Sequence, residues 1–335
     1  MNHSTPHIIL FSTTLFMGTL ITLMSNQWVF LWVGLEINLL SIIPLMLASS
    51  DMNESESSIK YFIVQAIGGA LILMASISHL YAPLSILSPK SSAVILLVGL
   101  LIKLGAAPLH FWFPQVMNGL NWLMCLILCT WQKLAPLMLL TFLFSTQFPS
   151  YILLFGILSI WIGGLGGLNQ TQLRPLFAYS SISHVGWMLS LSFMSSTLTL
   201  LYFSIYILSS MPLMLMLWSL SYSSNSLLPH SIPSNPGFKM TLMLLLLNLG
   251  GIPPFLGFFP KLAAVQMFNQ EGMMAIPLIM VMGSMISLFY YLSILFNSYL
   301  SHSLPNINKE FSWWLPTPIL TTIALLPLPL MISMI

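Results

Sequence analysis

The sequence predicts an all-α polytopic membrane protein with about eleven transmembrane helices. Of its 335 residues, 57% are hydrophobic and only 4% are charged, whereas a soluble domain carries about 25% charged residues. The apolar runs are about 20 residues long, enough for a helix to cross a hydrocarbon core of roughly 30 Å. An outer-membrane barrel would show short alternating segments instead. With so apolar a chain, we expect membrane lipids as partners. Because the net charge is only +2 and is thinly spread, we expect no nucleic acid partner.

Short polar breaks separate these apolar runs along the whole chain, 1–335, which we treat as a single transmembrane domain. The predicted spans are approximately 7–25, 27–48, 58–80, 91–118, 121–143, 150–168, 174–194, 198–220, 238–268, 274–298 and 313–334. The loops on the N-terminal side then contain Lys60, Arg174, Lys239 and Lys309, against only Lys90 on the opposite side. The positive-inside rule therefore predicts a matrix or cytoplasmic N-terminus, with the C-terminus across the membrane.

Glycines and prolines predict that two of these spans are broken helices. In the fourth span Gly105 and Pro108 follow Lys103, and in the ninth Gly250, Gly251 and two prolines precede Lys261. A proline lacks the N–H that would bond the carbonyl four residues earlier. We therefore expect Pro108 to free the carbonyl of Leu104, and Pro253 and Pro254 to free those of Leu249 and Gly250. Such carbonyls are tolerated at membrane depth only inside protein or beside a water-filled cavity.

The two broken spans are five apart, which is typical of inverted repeats in transporter-type folds. The predicted boundaries are 7–143 and 150–298 for two five-helix repeats and 313–334 for an additional C-terminal helix. The alternative is that Gly and Pro are simply frequent in membrane helices.

Four charged side chains lie inside the spans: Glu36, Lys103, Lys133 and Lys261. Lys133 is in the middle of span 121–143, where snorkelling to either surface is hardest. Each buried charge costs about 3 kcal/mol on insertion scales. Four would cost roughly 12 kcal/mol, comparable with the whole stability of a domain at about 5–15 kcal/mol. This cost favours a functional role, with Glu36 and a lysine as the available acid–base pair, although any single charge could also snorkel.

Two histidines and two cysteines inside the spans permit more than one interpretation. His110 and His184 are candidates for proton relay, but a neutral histidine can equally satisfy a hydrogen bond between helices. Cys125 and Cys129 are one turn apart without a local His or carboxylate, so we favour packing over metal binding.

Two further features are predicted to lie at the membrane surface. The acidic stretch at 51–56 is expected to be a solvated loop. Trp112 lies near a span end, which is typical of an interfacial aromatic belt.

Five motifs in order resemble the antiporter-like membrane subunits of respiratory complex I. They are WVGLEINLLSIIPL, LLIKLGAAPLHFWFPQVMNGL, TWQKLAPL, AYSSISHVGW and LNLGGIPPFLGFFPKL. The resemblance extends from about Trp28 to Lys261 and implies an antiporter-like fold. It further implies a proton route through buried side chains. Glu36 and Lys103 would form an ion pair, Lys133 would be the central lysine and Lys261 the exit-side lysine. His110 and His184 would be intermediate relays.

The resemblance also implies where this chain works and what it lacks. Its partners would be other membrane-arm subunits, in the mitochondrial inner membrane, with the N-terminus in the matrix and the C-terminus in the intermembrane space. We expect no cofactor in this chain, because other subunits would handle NADH, flavin, iron–sulfur clusters and ubiquinone. Two alternatives stay open: a subunit of a multisubunit cation/proton antiporter, and a structural spacer whose buried charges only fix helix packing.

Overall fold

The computed structural model describes residues 6–48, 51–80, 89–143, 149–223, 236–253 and 255–300, and all regular structure among them is helical. The helices are α1 (Pro6–Met24), α2 (Trp28–Met46), α3 (Met52–Leu80), α4 (Pro89–Leu104), α5 (Trp112–Gly119), α6 (Trp122–Cys129), α7 (Trp131–Leu143), α8 (Pro149–Leu168), α9 (Leu173–Met194), α10 (Ser196–Ser223), α11 (Pro236–Gly250), α12 (Phe258–Gln270) and α13 (Ala275–Leu300). Seven spans among the described residues are long and apolar enough to cross a membrane. The all-α polytopic prediction is confirmed. The count of eleven stays a prediction, and the span at 313–334 lies outside the described residues.

The chain folds as two compact units that divide between Phe155 and Gly156. In the first, α1 packs along α2, and α3 packs on α2, α4 and α5, while α7 contacts α4 and α1. In the second, α9 packs on α10 and α12, and α13 packs on α11 and α12. The inverted repeats inferred from the broken spans stay a prediction.

The first predicted break is present at the end of α4. Gly105 has φ +68°, a left-handed conformation that costs other residues a steric penalty. The N–H of Gly105 donates to the Ile102 carbonyl and the N–H of Ala106 to the Leu101 carbonyl, both at 3.1 Å. This pair of bonds is a Schellman cap. The chain resumes as helix only at Trp112.

The second predicted break repeats the same cap at the end of α11. Gly251 has φ +74°, and its N–H donates to the Asn248 carbonyl at 3.1 Å. The N–H of Ile252 donates to the Leu247 carbonyl at 3.5 Å, and helix α12 begins at Phe258. Both half-helices therefore end in the same way, each beside one of the lysines singled out by sequence.

The predicted span 121–143 is not one regular helix, since it is divided at Thr130 into α6 and α7. Thr130 has φ −110° and ψ −71°, and its hydroxyl donates to the Leu126 carbonyl at 2.7 Å. A threonine that bonds the carbonyl four residues back bends a helix. Neither Gly nor Pro stands at this position, so no strong break signal could be read here.

The acidic stretch at 51–56 is not a loop from Met52 onwards, although Asp51 and Glu56 are exposed as predicted. Helix α3 begins at Met52, and Glu54 in its first turn is only 4% exposed. The end of α5 covers this turn, because a Cβ on Gly119 would lie 2.7 Å from the Asn53 carbonyl oxygen. Charge alone marked the segment as loop, whereas the segment is helical from Met52 and packing buries Glu54.

We predict that Gly105→Ala destabilises the protein by about 1–2 kcal/mol, because alanine resists the left-handed conformation. The measurement is the thermal unfolding midpoint of the assembled membrane protein. Gly237→Ala is the matched control, since a Cβ there meets nothing within 4 Å and its φ is not positive. Equal midpoints for the two variants would contradict the cap.

Candidate functional site

The structure brings Glu36 of α2 and Lys103 of α4 together as an ion pair. Lys103 Nζ donates to Glu36 Oε1 at 3.2 Å. The lysine side chain is 4% exposed and the glutamate side chain 24%. The ammonium is thus almost fully buried, while its carboxylate partner keeps one side open. The pair Glu56–Lys60, in contrast, lies on an exposed face.

Two neighbouring glycines on α3 make the room for this pair. A Cβ on Gly69 would collide with the Glu36 carboxylate. A Cβ on Gly68 would lie 3.2 Å from Lys103 Cγ and 3.3 Å from the Gly99 carbonyl oxygen. Small residues let membrane helices approach closely. Here they also admit two charged side chains. The Gly-Gly step inside an apolar helix was the signal in the sequence that could have predicted this role.

The break after α4 exposes carbonyls that side chains satisfy. Gln65 Nε2 donates to the Lys103 carbonyl at 3.4 Å, and Trp112 Nε1 donates to the Ile102 carbonyl at 3.1 Å. Side chains therefore bond the carbonyls of Ile102 and Lys103, and the freeing of the Leu104 carbonyl by Pro108 stays a prediction. Trp112 is 8% exposed, so its assignment to an interfacial belt is wrong. Because a helix C-terminus carries partial negative charge, it also favours the Lys103 ammonium.

Lys133 is buried on α7 in the same unit. It is 2% exposed, and its Nζ lies 4.8 Å from the centroid of the Phe113 ring. Contact with an aromatic face stabilises a desolvated cation. Phe113 belongs to α5, the helix that follows the break after α4, so the helix that resumes after this break supplies the ring beneath Lys133.

His110 lies in the break itself and is 3% exposed. Its Nδ1 is 3.2 Å from the Pro108 carbonyl oxygen. A carbonyl can only accept, so this contact makes Nδ1 the donor and leaves Nε2 as the nitrogen able to accept a proton. The arrangement is compatible with a relay and also with a purely structural hydrogen bond.

In the second unit, Lys261 of α12 reaches back to the end of α11. Its Nζ donates to the Gly250 carbonyl at 2.8 Å, one of the carbonyls that the proline run was expected to free. The intervening loop is fixed by Asn248, whose Oδ1 accepts the Gly257 N–H at 2.9 Å. Gly251 keeps this space open, because a Cβ there would lie 2.9 Å from Lys261 Nζ.

His184 is buried on α9 with a tyrosine partner from α10. Its Nδ1 lies 2.9 Å from the Tyr202 hydroxyl, and the Tyr206 ring is 5.1 Å away. Tyr202 could not be singled out from the sequence, since a tyrosine in an apolar span does not stand out. A hydroxyl beside the imidazole can exchange a proton with it or fix its tautomer.

No group of three or more His, Cys, Asp or Glu side chains in the described part of the chain could hold a metal ion. Cys125 Sγ donates to the Met117 carbonyl at 3.5 Å, and Cys129 Sγ lies 4.0 Å from Met117 Sδ. These contacts fit the packing role favoured for the two thiols. The absence of cofactors from this chain stays a prediction.

Comparison with known proteins decides the family. The family model described as NADH:quinone oxidoreductase/Mrp antiporter, TM, matches residues 25–287. NADH-ubiquinone oxidoreductase chain 2 of Lumbricus terrestris is 40% identical, with 88% of this chain and 87% of the relative covered. The chain 2 protein of Elephas maximus is 40% identical, with 96% of this chain and 97% of the relative covered. That of Anopheles gambiae is 42% identical, with 91% of this chain and 88% of the relative covered. The protein belongs to the NADH-ubiquinone oxidoreductase chain 2 family.

Solved structures agree with this family at the level of the fold. A chain of respiratory complex I from Thermus thermophilus with bound aureothin has a TM-score of 0.81 at 22% identity, covering 98% of this chain and 79% of that chain. A chain of the Mrp complex from Dietzia sp. has a TM-score of 0.78 at 17% identity, covering 88% of this chain and 61% of that chain. The antiporter-like fold predicted for this chain 2 family member is therefore confirmed.

We predict that Gly69→Ala pushes the Glu36 carboxylate away from Lys103, because the added methyl group occupies the carboxylate's space. Overpacking of this kind costs about 1–3 kcal/mol. A structure of the variant should show an Nζ–Oε1 separation beyond about 4 Å, the outer limit of an ion pair. With Gly237→Ala as the control, an unchanged ion pair in both variants would refute the role of Gly69.

Proposed function

We propose that this chain is a proton-translocating core membrane subunit of respiratory complex I. It would couple NADH:ubiquinone electron transfer in other subunits to proton movement across the membrane. The residues that carry the proton are Glu36, Lys103, Lys133 and Lys261, with His110 and His184 as intermediate relays. Membership of the chain 2 family supports the proposal, and the Glu36–Lys103 ion pair is the observation that carries it.

The ion pair suits a switch better than a structural support. Apolar side chains of similar volume often replace a buried ion pair at no loss of stability. A carboxylate beside an ammonium favours the protonated lysine, and separating the two favours release of the proton. A change of one pKa unit corresponds to 1.36 kcal/mol, so small movements shift populations about tenfold. Motion that opens the Glu36–Lys103 contact would therefore release the proton of Lys103, and closing the contact would let Lys103 bind a proton again.

The remaining steps need short hops between buried groups. One hydrogen-bonded hop covers only about 3 Å, whereas neighbouring helix axes are about 8–10 Å apart. Waters and the two histidines would therefore bridge the lysines. Lys133 would act as the central store of the proton and Lys261 as the group nearest the exit.

The chain would contribute to an enzyme without redox chemistry of its own. NADH, flavin, iron–sulfur clusters and ubiquinone would be handled by other subunits of the complex. Its partners would be membrane-arm subunits and lipids of the mitochondrial inner membrane. We place the N-terminus on the matrix side and the C-terminus in the intermembrane space, on the evidence of the Lys and Arg asymmetry of the loops.

A subunit of a multisubunit cation/proton antiporter is the second candidate, since the fold also matches a chain of an Mrp complex. We predict that the isolated chain in liposomes shows no sodium-dependent proton exchange. A pH-sensitive dye trapped in the liposomes, with sodium added outside, measures this directly. Sodium-driven alkalinisation or acidification would favour the antiporter over the respiratory subunit.

We predict that Lys133→Met abolishes the proton pumping due to this chain while the complex still assembles. Methionine fills a similar volume in the buried site but binds no proton. The measurement is the number of protons pumped per electron by the complex in liposomes, driven by NADH and a ubiquinone analogue. Lys60→Met, which removes an exposed cation with 44% side-chain exposure, is the control. An unchanged ratio in Lys133→Met would support the structural-spacer alternative instead.

A further inference from the structure

A small cavity lies where α2, α3, α4 and α7 meet, beside the Glu36–Lys103 pair. Its volume is about 10 Å³, which is room for one water molecule. Its polar lining consists of Asn38, Tyr61, Gln65, Lys103 and Gln132, and the rest is apolar. The cavity lies entirely within the first unit. Five polar side chains therefore surround one water-sized space.

The Gln132 side chain links three helices at this cavity. Its Nε2 donates to Asn38 Oδ1 on α2 at 2.8 Å, and its Oε1 accepts the Tyr61 hydroxyl of α3 at 3.3 Å. Both ends of the amide are thus held by different partners, which fixes its orientation. Gln132 also directly precedes Lys133 on α7, so it joins the helix of the central lysine to the helix of Glu36.

Hydrogen-bonding capacity at the cavity exceeds what these contacts use. A lysine ammonium has three donors, and one of those of Lys103 goes to Glu36. An amide oxygen accepts two hydrogen bonds, and Tyr61 supplies one to Gln132 Oε1. A buried water needs two to four polar partners, about three on average. The Lys103 ammonium, the Gln132 carbonyl oxygen and the Tyr61 hydroxyl can supply them.

We propose that this cavity binds one water molecule between Lys103 and the Gln132 amide, and that Gln132 is the positioning residue that holds it. This inference rests on the proposed function. The water accepts a proton from the Lys103 ammonium as an N–H bond breaks and an O–H bond forms, and it releases one of its own protons. Because Lys133 does not line the cavity, that proton reaches the neutral amine of Lys133 through at least one further hydrogen-bonded water. The net step converts the Lys103 ammonium to the amine and the Lys133 amine to the ammonium.

Gln132 itself does not carry the proton, because a primary amide is neither a useful acid nor a useful base in water. Its part is geometric, since Asn38 and Tyr61 aim its oxygen at the water. Asn38 is two residues from Glu36 on α2, so a movement of α2 that opens the ion pair also pulls on Gln132. Release of the Lys103 proton and the position of its acceptor are thereby linked.

A structure of the assembled complex at a resolution that shows waters tests the site directly. We expect one water peak in the cavity within about 2.7–3.2 Å of Lys103 Nζ. A second contact should run to Gln132 Oε1 or the Tyr61 hydroxyl. A cavity closed by a side chain, or one without a water peak while neighbouring polar cavities show theirs, would overturn the proposal.

Gln132→Leu in the same complex tests the role of the amide, with Gln115→Leu on an exposed position as the matched control. We expect Gln132→Leu to lower the protons pumped per electron as far as Lys133→Met does, at an unchanged rate of NADH oxidation. The control should match the parent. A structural defect would instead lower complex content and electron transfer together.

Tyr61→Phe provides a second variant if Gln132→Leu fails to assemble. The ring, 5.7 Å from that of Trp112, stays in place and only the hydroxyl is lost. We expect a partial loss of protons pumped per electron. If Tyr61→Phe or Gln132→Leu pumps as many protons per electron as the parent while Lys133→Met does not, the water site is overturned. The proposed function then still stands. A parental ratio in Lys133→Met overturns the proposed function itself.

Discussion

The first unit depends on one contact, the ion pair between Glu36 and Lys103 in an otherwise apolar helical bundle. Neither charge can be buried alone without a cost of several kcal/mol, so α2 and α4 must meet at this point. Gly69 admits the carboxylate between the helices, and the cap at Gly105 ends α4 two residues after the lysine. The pair thus explains why small residues and a helix break occur here rather than elsewhere along the same spans.

The two broken helices use the same solution to the problem of unpaired backbone in a membrane. Each ends in a Schellman cap with a left-handed glycine, and each has a buried lysine at its C-terminal end. Lys261 bonds the Gly250 carbonyl directly, whereas the Lys103 carbonyl is bonded by Gln65. The partial negative charge of the helix ends stabilises both ammonium groups. Broken backbone and buried cation therefore offset each other's cost, which makes a lysine at membrane depth sustainable.

Features with a high local cost could be predicted from the sequence. The charges at positions 36, 103, 133 and 261 stood out because insertion penalises them, and the breaks stood out because Gly and Pro disfavour helix. Neutral polar side chains gave no such signal. Gln132 and Asn38 are 94 residues apart in the chain, and His184 meets Tyr202 across two helices. Such contacts depend on how helices pack, which periodicity does not encode. The burial of Glu54 was missed for the same reason, whereas the irregularity at Thr130 was missed because threonine is a much weaker break signal than Gly or Pro.

The account requires that Glu36 and Lys103 act as one unit in proton movement. A double-mutant cycle tests this most directly, with protons pumped per electron measured for Glu36→Gln, Lys103→Met and the double variant in the intact complex. Residues that act as a unit are strongly non-additive. The account predicts that the double variant loses no more than the more severe single variant. Losses that add, so that the double variant falls by the sum of the two, would show that the charges act independently and would contradict it.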